Sequence, residues 1–334
     1  MKSSTPSPRN PISRRAMLAA TAAVAASPAL AEECRIGPAP HAKGPPVFLE
    51  YDQIELDASY EQRSYEPLLM QVSQRLASNS EAVRTRIGVP QRVAYGPTEI
   101  EKLDIYRAGR ANAPIFVFIH GGIWRWGAAG DNGFPAEMFV NAGAHYVALD
   151  FSAVTAVGGD LGVLAAQVRR GIAWVYKNGE SFGGDPNRIY IGGHSSGGHL
   201  CGVALVTEWQ KEFGIPGDAV KGGLCMSGMY DMAPVRLSWR RNYINFTDAM
   251  ANAMSPQRHI DKLNAPIFVT YGTLETPDFQ RQSRDFAAAV KAAGKQAALI
   301  EAPNYAHLEM AESLGNPYGP NGRAALAMMQ LAPN

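Results

Sequence analysis

The feature that most constrains the fold is an alternation, from Leu103 onward, between short apolar runs and segments of helical periodicity. Apolar runs of this kind are typical of strands buried on both faces of a sheet. Helical spacing is clearest at Leu161, Leu164, Val168, Ile172 and Val175. The sequence therefore predicts an α/β fold, a mostly parallel central sheet with helices on both faces. Its strands are expected at 103–106, 115–119, 146–149, 189–191, 223–226, 267–271 and 298–300.

Composition favours one folded core rather than several domains. Hydrophobic residues make up 46% and charged residues 18% of the 334 positions, which is ordinary for a globular protein. No linker-like run interrupts the middle of the chain, so we predict a single core at 101–334 with a small insertion at 231–256. Residues 32–100 are predicted to form an N-terminal arm and a helical lead-in, with helical spacing at Leu68, Leu69, Val72 and Leu76.

Residues 1–31 have the composition of an export signal. Four basic residues precede an alanine-rich run at 16–26, small residues follow at 29–31, and no acidic residue occurs before Glu32. The pair Arg14-Arg15 resembles the twin-arginine type of signal, which carries folded proteins across a bacterial inner membrane. We therefore predict a periplasmic or secreted protein. The alternative is an amphipathic or disordered tail.

Charge and hydropathy exclude two classes of partner. The apolar run at 16–26 is too short for a membrane span, and Cys34 follows Glu33 rather than a small residue, so we expect no stable membrane anchor. Without residues 1–31 the chain carries three more acidic than basic side chains. Such a surface has no reason to bind nucleic acid or anionic lipid. The sequence does not indicate the oligomeric state.

The three cysteines, Cys34, Cys201 and Cys225, cannot all form pairs, and they lack the spacing of a metal site. Cys201 and Cys225 have apolar neighbours, which favours a place in the hydrophobic core over a redox role. We therefore expect no metal bound by these cysteines.

The stretch Gly193-His194-Ser195-Ser196-Gly197 lies between a predicted strand at 189–191 and a helical pattern at 198–209. It fits G-x-S-x-G, the sharp turn that exposes a nucleophilic serine above a sheet. The small residues at both ends of the motif let strand and helix approach closely. Only Ser195 has glycine at both flanking positions, so the register predicts Ser195, and not Ser196, as the nucleophile.

A second glycine motif, His120-Gly121-Gly122-Ile123-Trp124, follows the strand predicted at 115–119. Paired glycines after a strand let backbone N–H groups point at a developing oxyanion. The backbone N–H of Ser196 is the expected partner donor. A plain glycine turn is the alternative, and His120 is expected to stabilise the loop rather than to act as a base.

A general base and an acid are expected downstream of the nucleophile, in the order of acid and then histidine. His199 lies one turn into the helix after Ser195, and His259 precedes a strand, so neither fits the base. His307 follows the last predicted strand and does. Two carboxylates, Glu275 and Asp278, compete for the acid, because both follow the strand at 267–271.

These motifs resemble α/β-hydrolases of the arylformamidase (kynurenine formamidase) and hormone-sensitive-lipase-like esterase group. The resemblance extends over roughly residues 50 to 310 and rests on the segments at 120–124, 193–199, 227–231 and 275–283. It implies the α/β-hydrolase fold and a triad of Ser195, Glu275 and His307. It also implies an oxyanion hole at Gly121, Gly122, Ile123 and Ser196. The sequence departs from the usual formamidase pattern at Glu275, where Asp is common, and at Ile123, where Tyr is common.

The resemblance implies a serine hydrolase that cleaves small carboxylic esters through an acyl-enzyme, without a metal or cofactor. One alternative is amide hydrolysis of the arylformamidase type, on substrates like N-formylkynurenine. Another is a catalytically inactive module that only binds a ligand. Side chains expected to contact the substrate are Trp124, Trp126, His194 and Tyr230.

Overall fold

The computed structural model of the protein describes Met1 and residues 36–333. The predicted export signal lies outside the described residues except for Met1, and so does Cys34. The described chain begins with an extended arm and two helices, α1 (Gln53–Ser59) and α2 (Leu69–Ile87). The helix α2 confirms the lead-in helix predicted from Leu69, Val72 and Leu76.

Eight strands form one sheet in the order β1-β2-β4-β3-β5-β6-β7-β8. The pairs β1–β2 and β2–β4 are antiparallel, and the remaining neighbours are parallel. The predicted mostly parallel sheet is therefore confirmed. The strands are β1 (Gln91–Ala94), β2 (Lys102–Tyr106), β3 (Ala113–Ile119), β4 (His145–Leu149), β5 (Gly184–His194), β6 (Val220–Met226), β7 (Ile267–Gly272) and β8 (Ala297–Ala302).

The remaining helices follow the strands along the chain. They are α3 (Ala136–Asn141), α4 (Leu161–Asn178), α5 (Ser196–Leu205), α6 (Trp209–Phe213), α7 (Met232–Leu237), α8 (Asp248–Ala253), α9 (Pro277–Ala292), α10 (His307–Glu312) and α11 (Pro320–Met329). Among the residues that the structure describes, none of these helices combines the length and the apolar character needed to cross a bilayer.

The core lies on both faces of the sheet because side chains alternate along each strand. Val117 packs with residues of α4 and α5 on one face, whereas Phe116 and Phe118 pack with residues of α2, α3 and α11 on the other. Asp160 caps the start of helix α4, because its side chain accepts a hydrogen bond from the Gly162 N–H at 2.7 Å. Helices therefore cover both faces, as predicted.

The structure differs from the prediction at the edge of the sheet. Strand β1 was not predicted, because three of its four residues are exposed and it has no apolar run. It pairs with β2, so the sheet begins before residue 101. The helical pattern predicted at 198–209 is divided into α5, which already starts at Ser196, and α6. The segment 231–256 folds into α7, α8 and a short 3-10 helix at Trp239–Asn242.

Candidate active site

Ser195 lies on a strained turn between β5 and α5. Its backbone has φ 58° and ψ −123°, a region that residues with a Cβ rarely adopt. The turn is held by its N–H, which donates to the Met226 carbonyl at 2.9 Å. A side chain at Gly197 would overlap the Ile119 carbonyl, so the helix approaches β3 only because this position is glycine. The backbone conformation of this turn therefore sets the direction in which the Ser195 side chain points.

His307, the first residue of α10, faces the serine. Its Nε2 is 2.9 Å from the Ser195 Oγ, and its Nδ1 is 3.0 Å from Glu275 Oε2. With the ring proton on Nδ1, that nitrogen donates to the carboxylate and Nε2 accepts from the hydroxyl. The structure thus brings the three predicted residues into one hydrogen-bonded chain from serine to histidine to carboxylate.

Glu275, in the loop between β7 and α9, is the carboxylate that reaches His307. It is 2% exposed, and its Oε1 accepts hydrogen bonds from the Ser227 Oγ at 2.6 Å and the Gly272 N–H at 2.7 Å. Ser227 begins one of the segments that carry the family resemblance, but its bond to Glu275 was not predicted, because it joins two loops that are distant in the sequence. Three donors therefore orient the carboxylate, namely Ser227, Gly272 and His307.

The competing carboxylate, Asp278, lies in the first turn of α9 and is fully buried. It accepts hydrogen bonds from the Tyr60 hydroxyl and from Arg281 Nε, the second at 2.7 Å. Its contacts therefore tie α9 to the N-terminal segment rather than to His307.

Burial sets the protonation of the base. It lowers the pKa of His307 to about 3, and the nearby charge of Arg240 acts in the same direction. A neutral imidazole at neutral pH can accept a proton from Ser195. Burial also raises the pKa of Glu275 to about 7, against the hydrogen bonds from Ser227 and Gly272, which favour the carboxylate.

The loop after β3 lies directly against the nucleophile. A Cβ at Gly121 would be 3.1 Å from the Ser195 Cβ. Gly122 and Ile123 have positive φ values of 107° and 52°. Among the described residues, the N–H groups of Gly121, Gly122, Ile123 and Ser196 find no acceptor, and Ser196 begins a helix, where N–H groups lack helical partners. These four N–H groups are the ones that the sequence predicted as donors of an oxyanion hole.

The loop is held in place by hydrogen bonds of Trp124, a residue that we predicted to contact the substrate. Its backbone N–H donates to Ser196 Oγ at 3.1 Å, and its indole N–H donates to His199 Nδ1 at 3.1 Å. His199 in turn donates to the Met254 carbonyl at 2.8 Å. Trp124 is only 2% exposed. The expectation for this side chain is corrected accordingly, because the indole belongs to the core and supports the loop.

Two other predicted substrate contacts are also buried against protein. Tyr230 is fully buried and stacks on Phe286 at a centroid distance of 4.3 Å. His194 donates from Nε2 to the His307 carbonyl at 2.8 Å, so it supports the base. Both expectations are corrected for the same reason, since neither side chain reaches an open surface. Trp126, in contrast, is 62% exposed and remains a candidate.

The remaining histidines of the motif regions make local contacts. His120 bonds through Nδ1 to the Gly121 carbonyl at 2.8 Å and stacks on Phe151 at 4.2 Å. His259 donates to the Asn252 carbonyl at 2.9 Å. His120 thus contacts its own loop, as expected of a loop-stabilising residue.

Glu66 was missed by the sequence analysis. Its side chain is buried in the N-terminal segment, and it accepts a hydrogen bond from the Leu308 N–H at 3.0 Å. Leu308 is the second residue of α10, so Glu66 caps the helix that carries His307. No local pattern could reveal this contact, because the two residues are far apart in the sequence.

His41, Asp52 and Glu55 bring potential metal ligands within 4.8 Å of one another. Their atoms are engaged in the start of α1. His41 pairs with Asp52 at 2.9 Å, the Asp52 side chain accepts from the Glu55 N–H at 2.9 Å, and Glu55 pairs with Lys43. The group caps a helix and stands apart from the Ser195 site.

Two cysteines lie in the hydrophobic core, one on the helix that follows Ser195 and one on the neighbouring strand β6. Cys201 on α5 and Cys225 on β6 are fully buried, with sulfur atoms 3.9 Å apart. Their place in the core agrees with the prediction from their apolar neighbours.

Comparisons with known proteins were made on sequence and on structure. The BD-FAE family model matches residues 103–222, and the model of the prolyl oligopeptidase family matches residues 167–318. Kynurenine formamidase from Salmo salar is 30% identical over 230 residues, which cover 66% of this chain and 76% of that protein. Kynurenine formamidase from Danio rerio is 29% identical over 246 residues, covering 72% and 81% respectively.

Solved structures show the same fold at lower sequence identity. A suspected thioesterase from Silicibacter sp. superimposes with a TM-score of 0.72 at 20% identity, over 83% of this chain and 99% of that chain. Esterase LipW from Mycobacterium marinum gives a TM-score of 0.63 at 17% identity, over 80% and 88%.

Proposed function

The chain belongs to the α/β-hydrolase group that includes the kynurenine formamidases and the hormone-sensitive-lipase-like esterases, and from this premise we propose that Ser195, His307 and Glu275 cleave small carboxylic esters. The observation that carries the proposal is the hydrogen-bonded chain from Ser195 Oγ to His307 Nε2, at 2.9 Å, and from His307 Nδ1 to Glu275 Oε2, at 3.0 Å. This arrangement is one that nucleophilic acyl transfer requires.

In the acylation step, the neutral His307 accepts the Ser195 proton while Oγ attacks the acyl carbon. The negative charge that develops on the carbonyl oxygen is stabilised by the N–H groups of Gly121, Gly122, Ile123 and Ser196. His307 then gives its proton to the leaving alcohol. Glu275 stabilises the imidazolium and keeps the other ring proton on Nδ1.

In the deacylation step, His307 takes a proton from water, which attacks the acyl-enzyme and releases the acid. The proton returns to Ser195 Oγ as the tetrahedral intermediate collapses. Each step reuses the same two contacts of His307.

Amide hydrolysis of the arylformamidase type is the second candidate function, favoured by the two kynurenine formamidases at about 30% identity. The third possibility, an inactive binding module, is disfavoured because Ser195, His307 and Glu275 are all present and lie at hydrogen-bonding distance from one another in that order. Ester and formamide hydrolysis use the same residues and differ in the acyl group and in the leaving group, an alcohol in one case and an aryl amine in the other.

A substrate screen with the purified protein separates these candidates. It includes p-nitrophenyl esters of rising chain length, aryl esters, aryl amides and N-formylkynurenine. We expect C4 esters to turn over faster than C12 esters, because the segment 231–256 forms short helices with several basic residues and no long apolar lid. An active-site phosphonate should add its mass to Ser195. An enzyme that is neither labelled nor active on any of these substrates contradicts the proposal.

Export remains part of the proposal, on the basis of the sequence of residues 1–31. The mature protein is expected to start near Glu32 and to be found in the periplasm or the medium of the native host. Mass spectrometry of these fractions measures the N-terminus. Full-length chain found solely in the cytosol contradicts the export prediction and leaves the hydrolase proposal intact.

A further inference from the structure

Arg125 follows the oxyanion loop directly and is held between two aromatic rings. Its guanidinium carbon lies 4.9 Å from the ring centroid of Trp126 and 4.9 Å from that of Tyr243. Trp126 follows the oxyanion loop, whereas Tyr243 belongs to the 231–256 segment. Because Trp126 is 62% exposed, this arrangement lies at the surface. Both rings lie at cation–π distance from the guanidinium, and such contacts do not use its N–H groups as hydrogen-bond donors.

Within residues 36–333, the Arg125 side chain forms neither a hydrogen bond nor an ion pair. A partly buried guanidinium is stabilised by a carboxylate, which it can bind through two parallel hydrogen bonds.

A second arginine adds positive charge behind the first. Arg240 is 1% exposed and donates to the Tyr243 hydroxyl at 2.9 Å and to the Tyr60 carbonyl at 2.9 Å. Its Nε has no acceptor, and among the described residues it has no carboxylate partner. Buried charges in proteins are normally paired. Within residues 36–333, Arg125 and Arg240 therefore meet at Tyr243 as two cations without a carboxylate partner.

The position of Arg125 connects this charge to the reaction. Its backbone N–H donates to the Gly122 carbonyl at 2.9 Å, so it lies one turn beyond the proposed oxyanion donors. Arg240 contacts the same part of the chain, since its guanidinium carbon lies 5.5 Å from the ring centroid of Trp124. Trp124, the residue before Arg125, donates its backbone N–H to Ser196 Oγ at 3.1 Å, so the Arg125 backbone lies close to the turn that carries Ser195.

We propose that Arg125 is an anion-binding residue of the substrate site and that the preferred substrates carry a carboxylate a few bonds from the scissile carbonyl. The inference rests on the proposed hydrolase function and specifies its substrate class. The carboxylate replaces the missing counter-ion, binds the edge of the Arg125 guanidinium and orients the acyl carbon at Ser195.

The test compares matched neutral and anionic esters. One pair places the charge on the acyl side, p-nitrophenyl butyrate against mono-p-nitrophenyl succinate. The other pair places it on the leaving group, phenyl acetate against 4-acetoxybenzoate. The measured quantity is the ratio of kcat/KM for the anionic ester to kcat/KM for the neutral ester. We expect a ratio above about 10 in at least one pair for the native enzyme, falling as salt screens the charge.

Arg125→Gln should lower that ratio by about 10- to 100-fold, mainly through KM, because a charge-assisted bidentate contact is lost. Arg125→Lys keeps the charge but not the planar fork, and should lower it less. The matched control is Arg241→Gln. Arg241 is an exposed arginine of the 231–256 segment, which also contains Tyr243, and its side chain donates to the Leu237 carbonyl. It should leave the ratio unchanged.

The outcomes are separable from those of the proposed function. A ratio near 1 in both pairs for the native enzyme, or a ratio that Arg125→Gln leaves unchanged, overturns the inference while neutral esters are still hydrolysed. A native enzyme that hydrolyses neither member of either pair and is not labelled at Ser195 refutes the hydrolase proposal itself. Preference in one pair alone supports the inference and assigns the carboxylate to the acyl or the leaving group.

Discussion

The two sides of the candidate site are built in different ways. The nucleophile side, consisting of Ser195 and the loop 120–124, is shaped by backbone at the ends of β3 and β5, where glycines permit contacts that a side chain would block. The acid–base side, Glu275 and His307, is shaped by buried polar side chains. Ser227 orients Glu275, and Glu66 caps the helix of His307. One side depends on small residues close in sequence, the other on partners from distant segments.

This difference predicts two kinds of sensitivity. On the nucleophile side, activity depends on the Ser195 Oγ itself, and the neighbouring residues contribute through their backbone groups. On the acid–base side, each polar partner contributes a share of the orientation or of the stability, so single substitutions should have graded effects.

The largest effect is expected for Ser195→Ala, with hydrolysis reduced by roughly 10⁵- to 10⁶-fold and the fold retained, because the nucleophile is removed. Ser196→Ala is the matched control. It keeps the backbone N–H but removes the acceptor of the Trp124 N–H, so we expect about a 10-fold loss or less. Steady-state kinetics with p-nitrophenyl butyrate measure both. Equal losses in the two variants would refute the assignment of Ser195.

A smaller effect is expected for Glu275→Gln, with kcat reduced by roughly 10²- to 10⁴-fold, because the imidazolium loses its carboxylate and the ring its fixed tautomer. Asp278→Asn is the control on the neighbouring acid. It should change kcat little but lower the free energy of unfolding by about 2 kcal/mol, since it weakens buried hydrogen bonds to Tyr60 and Arg281.

Rates and chemical denaturation, measured on both variants, decide between the two carboxylates. A fully active Glu275→Gln enzyme, or an Asp278→Asn enzyme that has lost its rate but not its stability, would reverse the assignment.

The smallest effect concerns the dependence of stability on pH. Burial raises the pKa of Glu66 to about 7, above the value of 4.5 in the unfolded chain. The folded protein therefore keeps a proton that the unfolded chain releases, and this contribution to stability is complete below pH 4.5 and is lost as the pH rises through 7. The native protein should lose free energy of unfolding between about pH 5 and 8, and Glu66→Gln should make this loss smaller by about 2 kcal/mol.

Glu275 has a raised pKa as well and contributes to the same decline, so the Glu66→Gln variant is expected to remove only part of it. Denaturant titrations at several pH values measure the slope for the native protein and for the Glu66→Gln variant. Parallel slopes would show that Glu66 is ionised equally in both states.

Sequence predicted the parts of the molecule whose signal is local. Strands such as β3 are continuous apolar runs, and Ser195 is flanked by glycines at a strand-to-helix junction. These patterns arise because burial and backbone geometry act on neighbouring residues. Strand β1 escaped prediction for the same reason, since its exposed residues carry no apolar pattern.

The parts that sequence did not predict depend on distant contacts. Glu66 meets Leu308, and Arg240 meets Tyr60, across most of the chain. The burial of Trp124 and Tyr230 likewise follows from tertiary packing, and no local pattern separates a buried aromatic residue from one that lines a substrate site. The choice between Glu275 and Asp278 needed the resemblance to a family, because both follow the same strand.

The helix Ser196–Leu205 restricts how enzymes on this scaffold can diverge. All ten of its residues are buried, so every substitution there disturbs close packing directly behind the serine. Trp126 is exposed, and such a position accepts substitutions at little cost in stability. New substrate preferences are therefore expected to evolve by exchange of side chains after the oxyanion loop and in the 231–256 segment, while the helix keeps its sequence.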